Sequence, residues 1–301
     1  MLESIPAQWR GYSLALLSVL GFSIGVIFTK MAFNLSQLDF YSMAIWGWGS
    51  AMFLATLGFY LPVKSQRSSL VPELKKHTQF FAIISVLTVI NGVTWFYGMS
   101  QMSGGVVALL DQNILVWTFL LGALFLGERF SWRQLCAIGL TLVGLGIVSS
   151  LKGEVTTLGI ICLLICGLSI ATQSLLMKMY SKPFNALALT FWRGWAMFVF
   201  SFAIYTALGS FNWSIELLAW ISITFAQFFG LFLGRAAFIK AHTYLPISQL
   251  SFLMLGIPVL SLAGSFLWLG EPLSTQKIIG ATIMLCGLAW FISRKAKRQI
   301  E

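Results

Sequence analysis

Three ionisable residues stand inside long apolar stretches of the sequence, where charges are rare: Asp111, Arg193 and Arg235. The guanidinium group of an arginine can bind a carboxylate or a phosphate through two parallel hydrogen bonds. A carboxyl group can take up a proton at one place and release it at another. These residue types suit the binding of an ionised small molecule, and Asp111 is a candidate for proton coupling.

Each of these charges also has a purely structural explanation. Arg193 lies about eight residues into its apolar run, roughly 12 Å along a helix axis, where it can form an ion pair or bind helix carbonyl groups. Asp111 lies at a similar depth and can pair with an arginine. Arg235 is closer to the end of its run, so its long side chain can extend to the surface. The sequence leaves both explanations open.

Neutral polar residues in the apolar runs form a second candidate set for substrate binding. This set comprises Asn91, Gln112, Asn113, Gln173, Gln227 and Gln249. Residues 111–113 cover about 200° of a helix and cannot all face one packed neighbour, so we expect a wet surface there. Trp46, Trp48 and Trp95 are candidate walls for an apolar part of the substrate, and Trp95 is also counted as a binding residue.

Proline, glycine and glutamate residues mark places where helices are expected to bend, touch or turn. Pro258 lacks an amide hydrogen, so it can kink its apolar run and act as a hinge. The motifs at 21–25 and 230–234, each with two glycines four residues apart, allow helices to approach closely. Glu128 and Glu271 are expected to cap or anchor tight turns.

Enzymatic and metal chemistry are poorly supported. Residues 21–25 match the pattern G-x-S-x-G, but they lie within an apolar run, and both histidines, His77 and His242, fall in polar connections. A serine nucleophile needs a sharp turn and a histidine base. Cys162 and Cys166 are four residues apart, yet no further cysteine or histidine joins them, so we expect no metal site and no cofactor.

Composition requires lipid as the solvent of this chain. Of 301 residues, 58% are hydrophobic and 9% are charged, and the mean hydropathy is +0.87. Soluble domains carry about 25% charged residues. The excess of 19 basic over 9 acidic residues lies mainly between the apolar runs, which indicates membrane orientation and not nucleic-acid binding. The sequence thus predicts an all-α integral membrane protein.

Ten apolar runs of about 20 residues are each long enough to cross a bilayer. They lie near 11–32, 40–61, 79–99, 104–126, 132–150, 157–179, 185–208, 216–239, 247–269 and 274–293.

Basic residues outside these spans fall mostly on one side of the predicted membrane. Fourteen lie on the side of the termini: Arg10, Lys64, Arg67, Lys75, Lys76, Arg129, Arg133, Lys178, Lys182, Lys240, Arg294, Lys295, Lys297 and Arg298. Only Lys30, Lys152 and Lys277 lie on the other side. Because positive residues favour the cytoplasm, we expect a multi-pass protein of the plasma (inner) membrane with both termini cytoplasmic.

The chain contains an internal duplication. Ile257-Pro258-Val259 and the later Leu269-Gly270-Glu271 return, 143 residues earlier, as Ile114-Leu115-Val116 and Leu126-Gly127-Glu128. Residues 11–150 and 157–293 therefore form two repeats of five spans, followed by a basic tail at 294–301. Five is odd, so the second repeat enters the membrane from the opposite face. Inverted repeats of this kind place a binding site near the midplane and permit alternating access.

These residues resemble the drug/metabolite transporter superfamily, in its ten-helix EamA-type branch. The motifs that support this resemblance are Phe191-Trp192-Arg193, Pro258, and the Leu-Gly-Glu sequences at 126–128 and 269–271. The resemblance implies a secondary transporter, often an exporter, of small metabolites such as amino acids and amines. It also implies a central cavity lined by both repeats, with the fifth and tenth helices at the periphery. In the first repeat, Leu115 stands where the family has a proline.

Two alternatives to this interpretation concern the substrate and the class of protein. The two arginines could instead receive an anionic metabolite that carries a carboxylate or a phosphate. A channel would need a repeated pore-lining ring, which nothing in the sequence marks. The expected partners are a small-molecule substrate, the lipid bilayer and, for coupling, protons. The chain is expected to act as a monomer or homodimer.

Overall fold

The chain is described here from a computed structural model, which covers residues 7–36, 38–64, 78–127, 131–151, 153–179, 185–209, 211–241, 243–245, 250 and 253–298. Within these residues the secondary structure is helical. The first half contains α1 (Ala7–Leu35), α2 (Phe40–Ala55), α3 (Thr78–Gln101), α4 (Gly104–Leu110), α5 (Asn113–Leu126) and α6 (Trp132–Ser149). The second half contains α7 (Thr157–Met179), α8 (Ala186–Ala207), α9 (Leu217–Gln227), α10 (Arg235–Ala241), α11 (Gly256–Leu269) and α12 (Thr275–Arg298).

The helices confirm the prediction of an all-α membrane protein. Eight described segments have the length and hydropathy needed to cross a bilayer, and α11 is a shorter apolar helix. The last predicted span, 274–293, corresponds to α12. Large apolar side chains such as Leu124, Leu267 and Trp268 are exposed on the outer surface, as expected where lipid is the solvent.

The fourth predicted span is interrupted at its polar residues, Asp111 and Gln112. α4 ends at Leu110, and the turn at Asp111 and Gln112 closes with bonds between residues three apart, from Ile114 N to Asp111 O (3.2 Å) and from Leu115 N to Gln112 O (3.1 Å). In the second repeat a turn at Leu255 precedes α11, at the position equivalent to Gln112.

The proline of the ninth span does not itself mark the break. Pro258 is the third residue of α11, in the first helical turn, where a backbone N–H has no partner within the helix. The equivalent Leu115 follows the break of the first repeat. The interruption is therefore a property of both repeats, and a hinge role for Pro258 stays a prediction.

Two π-helical segments widen other spans. Thr56–Tyr60 continues α2, and Phe228–Gly234 joins α9 to α10. The second segment contains the glycine motif at 230–234, which contacts the glycine motif at 21–25 in α1. A Cβ atom on Gly21 would lie 2.6 Å from the carbonyl oxygen of Phe229, and one on Gly25 would lie 3.3 Å from the Cα atom of Gly230. The expected close contact is therefore made between α1 and this segment.

The fifth helices of the two repeats, α6 and α12, pack against each other. A Cβ atom on Gly144 would lie 2.7 Å from the Cα atom of Met284, and one on Gly287 would lie 2.8 Å from the amide nitrogen of Thr141. Gly144 and Gly287 are equivalent in the duplication, so the same close approach is made from both sides.

Polar contacts gather at the end of the bundle where α1 finishes, which we call the far face. Glu271 accepts hydrogen bonds from the amides of Gly104 (2.7 Å) and Gly105 (3.2 Å), so it caps α4 of the other repeat. The buried Lys277 pairs with Glu154 at 2.5 Å. Lys30 Nζ donates to the carbonyl of Met99 (3.2 Å). Glu271 thus joins the two repeats and does not merely anchor its own turn; Glu128 lies outside the described residues.

Candidate functional site

A cavity of about 280 Å³ lies within the bundle and is lined by helices of both repeats. Seven of the ten predicted binding residues are on its wall: Asn91, Trp95, Asp111, Gln112, Arg193, Gln227 and Arg235. All three charges singled out in the sequence are therefore gathered at one place. Whether these residues bind a substrate stays a prediction.

The other three predicted binding residues are not among the described residues of the wall. Asn113 Nδ2 donates to the carbonyls of Leu110 (2.7 Å) and Leu163 (3.1 Å), so it ties α5 to α7 and does not face the cavity. Gln173 is 1% exposed and stands behind Thr88, with 3.5 Å between Gln173 Oε1 and Thr88 Oγ1. Gln249 is outside the described residues. The sequence argument grouped Asn113 with Asp111 and Gln112 because it assumed a continuous helix through residues 111–113, and the structure has a break there.

One face of α3 provides the polar strip of the cavity. Thr88, Asn91, Gly92 and Trp95 all line the cavity. Asn91 and Gly92 are each three or four residues from both Thr88 and Trp95, which puts the four residues on one side of a helix. From the first to the last of them the helix rises about 10 Å. This strip has Arg193 bound at one end and Asp111 at the other.

Arg193, near the middle of α8, is 4% exposed. Its Nε atom donates to Thr88 Oγ1 at 3.2 Å. Its Nη1 atom has no hydrogen-bond partner among the described residues. The guanidinium group is held by a neutral hydroxyl and not by a carboxylate, so its positive charge is not balanced by direct contact with a described side chain.

Asp111 sits at the break between α4 and α5. Its Oδ2 atom accepts a hydrogen bond from Trp95 Nε1 at 3.1 Å, and Cys166 Sγ lies 4.0 Å from Oδ1. Within the described part of the chain no arginine forms a direct ion pair with this carboxylate. The structural alternative for Asp111, a contact ion pair with an arginine, is therefore not found among the described residues, although Arg235 lies within electrostatic range of Asp111.

Arg235 follows the π-helical segment and opens α10. It lines the cavity, and its guanidinium carbon lies 6.0 Å from the centroid of the Phe238 ring. It is close enough to both Arg193 and Asp111 to interact with their charges. A π-helical turn adds a residue to the helix and often occurs at functional sites. The arginine is thus placed inward on a cavity wall, not at the membrane surface.

Aromatic and aliphatic side chains make up the rest of the wall, including Phe22, Trp48, Phe96, Met197 and Phe238. Of the three tryptophans considered from the sequence, Trp48 and Trp95 line the cavity, whereas Trp46 donates to the carbonyl of Asn212 (3.4 Å) outside it.

Sequence reasoning missed Thr88 and Cys166 as wall residues. Thr88 is three residues before Asn91 and seven before Trp95, so helical spacing from those two candidates would have pointed to it. Cys166 carries no comparable signal, because a cysteine in an apolar run is ordinarily a packing residue. Among the described residues there is no cluster of three or more metal-ligating side chains.

Comparison with known proteins agrees with this architecture. The model of the EamA-like transporter family matches residues 9–150 and 157–293. An "Uncharacterized transporter" of Archaeoglobus fulgidus is 24% identical over 202 residues, which cover 66% of this chain and 71% of that protein. "Uncharacterized transporter YoaV" of Bacillus subtilis is 22% identical over 250 residues, covering 80% and 84% respectively.

A solved crystal structure shares the fold, with a TM-score of 0.62 and 14% sequence identity over 98% of both chains. The family model covers both halves of the chain and most of its length. The protein is therefore a multi-pass membrane protein that belongs to the EamA-like transporter family.

Proposed function

We propose that this transporter is a secondary carrier that moves a small polar metabolite through the central cavity by alternating access. The observation that carries the proposal is the cavity itself. It lies between helices of both repeats and holds Asp111, Arg193 and Arg235. Buried charges are costly within a membrane unless they face a partner or a water-filled path. A substrate site accounts for three of them at one place.

The broken helices give the cavity a means of opening. Discontinuous spans at the meeting of two repeats are typical of carriers, because each half-helix can move without the other. Here the break at Asp111 lies on the cavity wall, and the break at Leu255 is next to Met254, another wall residue. Relative movement of the repeats would expose the cavity to one face and then to the other.

The contacts of the far face suit a closed gate on that side. Glu271 holds the first residues of α4, and Lys277 holds Glu154. In this proposal the two contacts separate when the cavity opens there. The resemblance favours export, and the distribution of basic residues predicts that both termini lie in the cytoplasm.

Transport into liposomes tests the proposal. Purified protein is reconstituted, loaded with unlabelled candidate metabolites, and given a trace of the labelled compound outside. A carrier gives saturable flux and transient accumulation by counter-exchange, whereas a channel gives neither. Amino acids, amines and organic acids form the first panel. Flux that rises linearly with concentration and shows no counter-exchange would contradict a carrier.

A further inference from the structure

The cavity wall carries an excess of one positive charge when its one described carboxylate and its two guanidinium groups are all charged. Arg193 and Arg235 contribute two positive charges, and Asp111 contributes one negative charge. Asp111 is within electrostatic range of Arg235 and already accepts a hydrogen bond from Trp95. Arg193 has no such anionic neighbour in direct contact within the described part of the chain. The uncompensated charge therefore belongs to Arg193.

Three buried donor nitrogens of wall residues have no acceptor among the described residues. They are Arg193 Nη1, Asn91 Nδ2 and Trp48 Nε1. Every one of these atoms is a donor. No buried acceptor on the cavity wall is left without a partner among the described residues. A ligand acceptor placed at this part of the wall would therefore pair donors that the described residues leave without a partner.

The three donors come from neighbouring positions around α3. Thr88, which binds Arg193, is three residues from Asn91, which corresponds to about one helical turn, or 5 Å. Gly92 lies against the Trp48 ring, because a Cβ atom added there would be 2.8 Å from Trp48 Cζ2. α2, α3 and α8 thus each direct one donor to the same part of the wall.

We propose that the cavity binds an organic monoanion, with its carboxylate at Arg193, Asn91 and Trp48 and an apolar body against the aromatic wall. This inference rests on the proposed carrier function and names its substrate class. The body would contact Phe22, Phe96 and Phe238. A volume of about 280 Å³ suits a molecule of roughly one aromatic ring with a short side chain.

Charge balance separates a monoanion from the other candidates. One carboxylate neutralises the excess charge of the wall, whereas a phosphate dianion would leave a buried negative charge. An ammonium group would bring a further positive charge close to two arginines. Both mismatches are costly where water cannot screen them.

A matched series of three probes tests the charge requirement. 3-Phenylpropionate, 3-phenylpropionamide and 3-phenylpropylamine share one body and differ in the terminal group. Binding to the purified full-length protein is measured from the shift in its thermal unfolding midpoint as a function of probe concentration. We expect the carboxylate to bind at least roughly tenfold more tightly than the amide or the amine, because it alone brings a negative charge to the Arg193 guanidinium group.

Two variants locate the carboxylate and a third provides the control. Arg193→Gln should weaken binding of 3-phenylpropionate by roughly tenfold or more, and Trp48→Phe, which keeps the aromatic ring, should weaken it by roughly threefold to tenfold. Arg133→Gln removes an exposed arginine of α6 outside the cavity and should leave binding unchanged. If Arg193→Gln does not fold, Trp48→Phe together with Asn91→Leu makes the same test.

Several results would overturn the monoanion site. They are no binding of 3-phenylpropionate at about 10 mM, equal binding of the amide or the amine, or unchanged binding in Trp48→Phe and Arg193→Gln. Saturable counter-exchange of an amine or amino acid, with 3-phenylpropionate inert, would remove the monoanion and retain the carrier. Binding of 3-phenylpropionate without any saturable flux would retain the anion site and remove the carrier.

Discussion

Thr88 positions the guanidinium group of Arg193 within the cavity. Its hydroxyl accepts from Arg193 Nε at 3.2 Å and donates within its own helix to the carbonyl of Ile84 at 2.7 Å. The hydroxyl is therefore fixed on both sides. An arginine side chain has many rotamers, and holding one nitrogen reduces the entropy that a ligand must otherwise remove.

Replacement of Thr88 by valine keeps the shape of the side chain and removes the acceptor. We expect the affinity for 3-phenylpropionate to fall by roughly threefold to tenfold, as for the loss of one hydrogen bond to a charged group. Thr172→Val is the matched control, since Thr172 bonds only to Leu168 of its own helix (2.8 Å) among the described contacts. Equal affinities in both variants would show that Thr88 has no positioning role.

Asp111 is the one carboxylate described on the cavity wall and is the candidate for proton coupling. Asp111→Asn retains an oxygen that can accept from Trp95 but cannot carry a proton between the two faces. We expect uptake driven by a pH gradient to be lost and counter-exchange without a gradient to persist. Liposome assays with and without a pH gradient distinguish gradient-driven uptake from counter-exchange.

The control for this variant is Asp39→Asn, which removes a carboxylate charge from the cap of α2 and leaves the cavity intact. Asp39 accepts from the amide of Ser42 at 2.7 Å, and an asparagine oxygen can do the same. If Asp111→Asn still accumulates substrate in response to a pH gradient, Asp111 does not carry the coupled proton.

At the scale of helices, α4 depends on a residue of the other repeat for its cap. This helix has seven residues, and its own N-cap residue, Ser103, makes no side-chain cap bond. Glu271 supplies the acceptors instead, and a carboxylate is also favoured by the partial positive charge of a helix N-terminus. The α11–α12 connection therefore stabilises the broken span of the first repeat.

Glu271→Ala should lower the free energy of unfolding by about 1–2 kcal/mol, because two amides lose their acceptor. The midpoint of thermal unfolding in detergent measures the loss. Glu216→Ala is the matched control: Glu216 precedes α9 but makes no side-chain cap bond, and it is exposed. Similar midpoints for the two variants would contradict a capping role for Glu271.

The contact between α6 and α12 depends on glycines that let the two backbones approach, among them Gly144. Gly144→Leu would drive a side chain into the backbone of α12 near Met284, so we expect a loss of about 3 kcal/mol or more. Gly139→Leu, on the same helix, meets nothing within 4 Å and should be tolerated. The fraction of folded monodisperse protein after extraction compares the two variants. Equal yields would indicate that α6 and α12 can separate without cost.

The sequence predicted the spans well and the described residues of the cavity wall in part. Length and hydropathy define each helix, because only a long apolar helix satisfies its backbone in lipid. The break at Asp111 and Gln112 was not predicted, since the apolar run continues on both sides of it and the sequence looks like one helix. For the same reason Asn113 was wrongly expected on the cavity wall. Thr88 was missed because a threonine bonded within its own helix looks like any other apolar-face residue.

At the scale of the whole molecule, the predicted inverted arrangement of the two repeats requires both termini on the same face of the membrane. We expect a fluorescent protein fused after Glu301 to fluoresce in the cytoplasm, and alkaline phosphatase inserted after Gly153 to be active outside. Gly153 suits insertion because it lies in a turn with φ of 80°, with nothing within 4 Å of an added Cβ atom. Phosphatase activity after Glu301 would exclude this topology.

The two copies of the duplicated unit do not share the ionised groups of the cavity equally. Both cations, Arg193 and Arg235, come from the later copy, and the anion, Asp111, comes from the earlier one. Movement of one copy relative to the other changes the distance between Asp111 and the two arginines. It thereby changes the electrostatic attraction that the arginines can exert on a bound solute. The affinity for the solute would then change with the same displacement, so the solute need not bind with equal strength on the two sides of the bilayer.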